Sequence, residues 1–128
     1  DRIAFLGRVS DEALLEAYRR ASVFVLPATL DERADTEGLG VVLLEAMAQR
    51  TPVVATRRGG IVDIVIDGET GLLVDDAVEA LAEAIDRVLA DPDAARAMGE
   101  RGAERVRRAF SWDTILDRIE AVYEGSPA

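Results

Sequence analysis

Four short aliphatic runs separated by stretches of helical period constrain this chain more than any other feature of it. Ile3-Ala4-Phe5-Leu6 stops at Gly7, Val23-Phe24-Val25-Leu26 stops at Pro27, and Val53-Val54-Ala55 is entered through Pro52. Leu72-Leu73-Val74 follows the turn pairs Asp67-Gly68 and Thr70-Gly71. Unbroken aliphatic strands suit a sheet covered on both faces. Strands alternating with helices imply right-handed βα units and a parallel sheet. The expected fold is α/β: a Rossmann-like parallel sheet of about four strands flanked by helices, with a helical C-terminal third. Of 128 residues, 49% are hydrophobic but only six are aromatic (three Phe, two Tyr, one Trp), so the core must be Val, Leu, Ile and Ala. The length fits one domain with a modest core.

The helices announce themselves by their ends. Ser10 is placed to cap a helix over Asp11–Ala21, acidic in its first turn and closed by Arg19-Arg20, with Leu14, Leu15 and Tyr18 as its apolar stripe. A second helix is expected over about Leu39–Gln49, and Gly59-Gly60 opens a short one around Ile61–Ile66. Asp75-Asp76 begins a helix to about Ala90, with Val78, Leu81, Ile85 and Leu89 at helical spacing. Asp91-Pro92 caps and opens the next, which reaches about Ala109 and is weakened in its middle by Gly99 and Gly102. Ser111 caps a last helix carrying Trp112, Ile115, Leu116, Ile119 and Val122.

Composition removes whole classes of function. The formal charge of −10, from 25 acidic and 15 basic residues, argues against general affinity for nucleic acid or an anionic membrane. Arg19-Arg20, Arg57-Arg58 and Arg105/Arg107/Arg108 read as solvated faces or loops rather than basic patches. With no cysteine and no histidine, the chain offers no disulfide, no thiolate or imidazole metal ligand and no Ser-His-Asp triad. No apolar run approaches the ~20 residues of a membrane span, and no signal-peptide pattern is visible.

A sheet of this kind binds ligands outside the carboxyl ends of its strands, which here are Gly7–Ser10, Pro27–Thr36 and Thr56–Gly60. At the second of these, Glu37 and Glu45 stand eight residues apart at the start of a helix. Eight positions rise roughly 12 Å and return to within about 80° of the first direction. Between them Gly38 and Gly40 open a helix N-terminus whose N–H groups and dipole favour phosphate. A sugar nucleotide has that layout: hexose hydroxyls, a diphosphate, ribose hydroxyls. Glutamates flank many helix starts, so the spacing alone is a weak signal.

The stretch EGLGVVLLEAMAQRTP over Glu37–Pro52 resembles the E-x7-E signature of retaining GT-B glycosyltransferases of the glycosyl transferases group 1 type. Its flanks, FLGRVSDEALLEAYRRASVFVLPA and PVVATRRGGIVDIVIDGETGLLV, follow the same family order, and the resemblance covers nearly the whole chain. It implies a sugar-nucleotide-binding C-terminal domain in which Glu37 is the catalytic residue at the donor sugar and Glu45 binds the nucleotide ribose. Gly38, Leu39 and Gly40 would line the sugar and diphosphate, and Gly7, Arg8 and Val9 would lie near the base. Gly59 and Gly60 read first as a turn and second as a donor contact. The partners implied are a nucleotide-diphosphate sugar and an acceptor, with no cofactor and no metal. A cytoplasmic location is expected, with the inner face of a membrane open to it through an upstream segment.

Some positions depart from the family pattern and leave the donor open: Leu39 where an aromatic residue is usual, a longer Ala28–Thr36 loop, Gln49-Arg50 in place of a small residue and glycine, and Val62-Asp63 where Pro-Glu is common. The family domain also begins with two βα units ahead of the FLGRV run, bringing an Arg and a Lys for the diphosphate, and follows an acceptor-binding domain. Without them the chain would be half of a donor domain, inactive alone, with a non-catalytic nucleotide-binding or assembly module as the alternative. In a sheet of order 3-2-1-4-5-6 their loss would strand Ile3–Leu6 and expose an edge on Val23–Leu26. Either Ile3–Leu6 moves in beside that edge, or two copies pair over it; a homodimer is the expectation. Asp91-Pro92-Asp93 matches a metal-binding D-x-D string, but cap, proline and first-turn acid explain it. Asp31, Glu32 and Asp35 read as a solvated acidic loop. A glycosidase would need its carboxylates facing one another across a bond at about 5–10 Å, which two glutamates on one helix face do not provide.

Overall fold

The computed structural model describes residues 2–28 and 37–110. In chain order its elements are α1 (Asp11–Arg20), β1 (Phe24–Leu26), α2 (Glu37–Ala48), β2 (Val53–Thr56), α3 (Ile61–Ile64), β3 (Leu72–Val74), α4 (Val78–Ala90) and α5 (Pro92–Ala109). The strands form one parallel sheet in the order β1-β2-β3. Phe24 lies opposite Val53 and Leu26 opposite Ala55, while Val54 lies opposite Leu72 and Thr56 opposite Val74. The α/β fold expected from the alternation is the fold observed. The last helix expected from Ser111 lies outside the described residues.

Strand alternation divides the core into two layers. Val53, Ala55 and Leu73 point into the larger one, shared with Tyr18, Leu43, Leu44, Met47, Ile61 and Val106. Val54 and Leu72 point the other way, onto Ala84 and Val88 of α4 and Ala95 and Met98 of α5. The caps are as the sequence places them: Ser10 accepts from the Ala13 N–H at 3.1 Å, and Asp91 from the Ala94 N–H at 3.1 Å.

Three expectations need correction. Ile3–Leu6 forms no strand and does not move in beside β1. Ile3, Leu6 and above all Phe5, 96% exposed, stay in solvent. A single extended run is not held without pairing, and among the described residues the outer edge of β1 stays open. Second, α4 starts at Val78 rather than Asp75: Ala77 is extended, at φ −148° and ψ 138°, and stands at the cap, while Asp75 and Asp76 pair with Arg57 and Arg58 at 3.1 and 3.3 Å.

Third, Gly99 and Gly102 do more than loosen α5. A Cβ on Gly99 would stand 2.2 Å from the Arg50 carbonyl oxygen, and one on Gly102 3.3 Å from the Thr70 oxygen and 3.6 Å from Met47 Cε. The glycines let α5 close onto the end of α2. That end is a Schellman turn: Thr51 N–H reaches the Ala46 carbonyl at 3.2 Å and Arg50 N–H the Met47 carbonyl at 3.0 Å. Arg50 takes φ +64° as its left-handed residue, where glycine would fit without strain.

Gly99→Ala should therefore destabilise the chain by roughly 1–3 kcal/mol, the ordinary cost of overpacking, although alanine is the better helix former. Urea unfolding checks it. An unchanged or raised midpoint would mean that α5 does not need this approach.

Candidate functional site

Parallel strands joined by antiparallel helices set the helix N-termini at the carboxyl edge of the sheet. The starts of α1, α2 and α3 therefore share that edge, and with them the Gly7–Val9 turn, Glu37–Gly40 and Gly59-Gly60. α2 begins at Glu37, two residues earlier than expected. The whole Glu37–Glu45 spacing is thus helical, and the rise of roughly 12 Å applies to all of it. Gly38, Leu39 and Gly40 belong to its first turn, where N–H groups have no intrahelical partner. Gly7 has φ +64° and Gly59 φ +47°, so both serve turns. Gly60, at φ −69°, completes the same turn and caps α3, so the turn reading holds for both glycines, and only Gly59 needs the positive φ. Arg8 and Val9 are exposed beside Ser10.

Glu45 is the one ionisable residue in the interior of α2, and it is partly buried among Leu43, Leu44, Ala46 and Met47, all of which are fully buried. Its partner comes from α1: the Tyr18 hydroxyl donates to Glu45 Oε2 at 3.2 Å. Tyr18 is only 5% exposed, with its ring edge-on to Phe24 at 5.6 Å between centroids. Burial pushes the Tyr18 phenol well up, and the neighbouring Glu45 charge adds to it. Burial also pushes the Glu45 carboxyl up; the Tyr18 hydrogen bond pulls it back, and the Asp11 carboxylate at the start of α1 raises it again. Below this pair Arg19 Nε donates to Gln49 Oε1 at 3.0 Å, and Thr51 Oγ1 donates to the Tyr18 carbonyl at 2.6 Å. Periodicity counted Tyr18 in the apolar stripe of α1; its hydroxyl, one helical face from Asp11, is the signal that would have found its second role.

The arginine pairs at the strand ends are occupied. Arg57 donates to Asp75 and Asp67, each at 3.1 Å, and the other oxygen of Asp67 takes the Leu73 N–H at 3.0 Å. Arg105 donates to the Asp63 and Ile64 carbonyls at the end of α3, while Arg107 and Arg108 pair with Glu104. These contacts bear out the reading of the basic runs as faces and loops. A cavity of about 310 Å³ lies between β3 and α4, lined by Arg57, Asp67, Val74, Asp75, Glu83 and Arg87. It shares no residue with α2. Asp91 is spent as a cap and Asp93 lies 3.6 Å from Arg96, which accounts for the D-x-D string. Asp31, Glu32 and Asp35 lie outside the described residues. Among the described residues no helix is long and apolar enough to cross a membrane.

Residues 1–105 match the family model described as glycosyl transferases group 1. Over 130 aligned positions the chain is 38% identical to a GDP-mannose-dependent alpha-(1-6)-phosphatidylinositol monomannoside mannosyltransferase of Mycobacterium tuberculosis, covering all of this chain and 34% of that protein. It is 45% identical to an alpha-maltose-1-phosphate synthase of Mycolicibacterium smegmatis, over 84% of this chain and 28% of the relative. Sucrose-phosphate synthase from Thermosynechococcus elongatus superposes on 97% of this chain with a TM-score of 0.79 at 41% identity, covering 30% of that structure. The chain spans about a third of the length of these relatives.

The raised carboxyl of Glu45 makes a pH signature. Its folded state holds the proton more readily than the unfolded chain does, so its stabilisation is full below the unfolded value and is lost as pH rises through the raised folded one. Glu45→Gln removes that titration and keeps an acceptor for Tyr18. The variant should gain stability over the wild-type chain as pH rises from about 4 to 7, read as the difference between their thermal midpoints. A difference independent of pH would contradict the burial assigned to Glu45.

Proposed function

The chain belongs to the glycosyl transferases group 1 family, and from that premise we propose that it is the donor-binding part of a glycosyltransferase, holding a nucleotide-diphosphate sugar along α2. Glu45 accepts from the ribose hydroxyls. The first-turn N–H groups at Gly38–Gly40 hold the diphosphate. Glu37 approaches the donor sugar as the catalytic residue, and transfer to the acceptor retains the anomeric configuration. Gly7, Arg8 and Val9 border the base, and Gly59-Gly60 faces the same edge. The observation that carries this reading is Glu45 itself. It is a half-buried carboxylate flanked by fully buried aliphatic side chains, and Tyr18 engages only one of its oxygens, which leaves the other accessible to a ligand. GDP-mannose is the first donor to try, because it is the one named for the mannosyltransferase aligned along the whole chain.

Titration of the chain with GDP-mannose, UDP-glucose and ADP-glucose, carried into the millimolar range, tests the donor. Glu45→Ala should weaken the best of them by about ten- to a hundredfold, the worth of hydrogen bonds to a charged acceptor. In the complete enzyme Glu37→Ala should lower kcat far more than it raises the donor KM. If both variants behave as wild type, the assignment fails.

We also propose that two copies associate, through the exposed Ile3–Leu6 run and the outer edge of β1, which no described strand covers. Light scattering should give a mass that rises with concentration towards twice the 13.8 kDa chain. A constant monomer mass would refute it.

A further inference from the structure

We propose that Tyr18 is the positioning residue of the ribose site: its hydroxyl fixes the Glu45 carboxylate so that the remaining acceptor capacity meets a vicinal diol, and α1 thereby ties the base-side turn to the ribose-side glutamate. The proposal rests on the reading of Glu45 as the ribose acceptor.

Packing does not explain the hydroxyl. The Tyr18 ring fills the core against Phe24, and a phenylalanine would fill the same space. A buried phenol instead requires a partner, and the partner it has is the carboxylate of the neighbouring helix. An ionised carboxylate has two oxygens and about four acceptor positions. Tyr18 engages Oε2, which leaves Oε1 for a ligand's hydroxyl donors. Left alone, the Glu45 side chain would sample several rotamers, and ordering it would oppose binding. The hydroxyl removes that cost in advance, as preorganised sites do.

Tyr18 is itself held from three sides. The edge-on contact with Phe24 orients the ring, Thr51 Oγ1 bonds its carbonyl at 2.6 Å, and Arg19 beside it bonds Gln49, one turn beyond Glu45. α1 therefore cannot shift along α2 without breaking these bonds together. Its leading residues, Gly7 to Val9, sit directly on the Ser10 cap. A displacement of that turn is carried into Glu45 through one helix, so base and ribose are presented to a single rigid unit.

The experiment compares ribose with its absence. GDP, UDP and ADP are titrated into the wild-type chain by NMR, and the tightest-binding one is compared with its 2′,3′-dideoxy form. The wild-type chain should prefer the ribose form by about tenfold or more. Tyr18→Phe should reduce that preference to about two- or threefold, with the dideoxy affinity unchanged. In a Glu45→Ala background Tyr18→Phe should cost nothing further, since it acts through that side chain. The proposal alone is overturned if Glu45→Ala abolishes the preference but Tyr18→Phe keeps it, or if Tyr18→Phe weakens both nucleotides equally. A Tyr18→Phe chain that no longer folds also counts against it, because the hydroxyl would then serve the fold. If Glu45→Ala keeps the full preference, or no diphosphate binds by about 10 mM, the ribose reading and this proposal fall together.

Discussion

A helix that is apolar on nearly every side must be covered on every side, and α2 is that helix. Leu43, Leu44, Ala46 and Met47 are fully buried, and the rest of the fold is arranged to bury them. The sheet takes one flank through Val53 and Ala55, α1 takes another through Tyr18, and α3 closes a third through Ile61 and Ile64. α5 takes the last, and it reaches close only because Gly99 and Gly102 carry no side chain where the Arg50 and Thr70 carbonyls stand. Cover from four directions holds α2 from Gly40 to Met47, so Glu45 acts from a defined position.

Much of this was legible because local chemistry and tertiary demand agree. Leu72–Val74 is a strand with the boundaries its run of aliphatics predicts, and Ser10 and Asp91 cap the helices they precede. What was not legible depends on partners far along the chain. Helix propensity alone makes Gly99 a weakness, yet its contact is Arg50, which the sequence places 49 residues away. Arg50 departs from the family's glycine at the one position where the Schellman turn demands a left-handed backbone, and the departure stores strain rather than a new contact. Ile3–Leu6 has the composition of a strand, but a strand is a property of a pair, and among the described residues nothing pairs with it.

The candidate site divides in the same way. The spacing of Glu37 and Glu45 was legible because a helix converts residue number into distance, and α2 is helical from one to the other. Tyr18 was half legible: hydrophobic period sees a ring that belongs in the core and is blind to the oxygen at its end. The Arg57, Asp67 and Asp75 clasp was not legible at all. Arg57 follows β2, Asp75 follows β3, and only the parallel pairing of those strands brings them to 3.1 Å. Asp67 joins them by taking the Leu73 N–H, and so guards an edge backbone group that would otherwise invite another strand.

The placement of Glu45 sets stability against function in a single side chain. A glutamate on an exposed helix face would cost the fold nothing, but it would be wet, mobile and weak as an acceptor. Moved among Leu43, Leu44 and Met47 it becomes costly to ionise, which its raised carboxyl records, and each hydrogen bond it then accepts gains strength from the lower local dielectric. Tyr18 sits at the point where the two demands meet. Its hydroxyl offsets part of the burial by favouring the charged form, and its rigid seat between Phe24 and Thr51 keeps that charge in one place. Position 45 lies at the border of the core, half-exposed, and the carboxylate there, bonded to a buried tyrosine, is a part of this fold that packing alone does not explain.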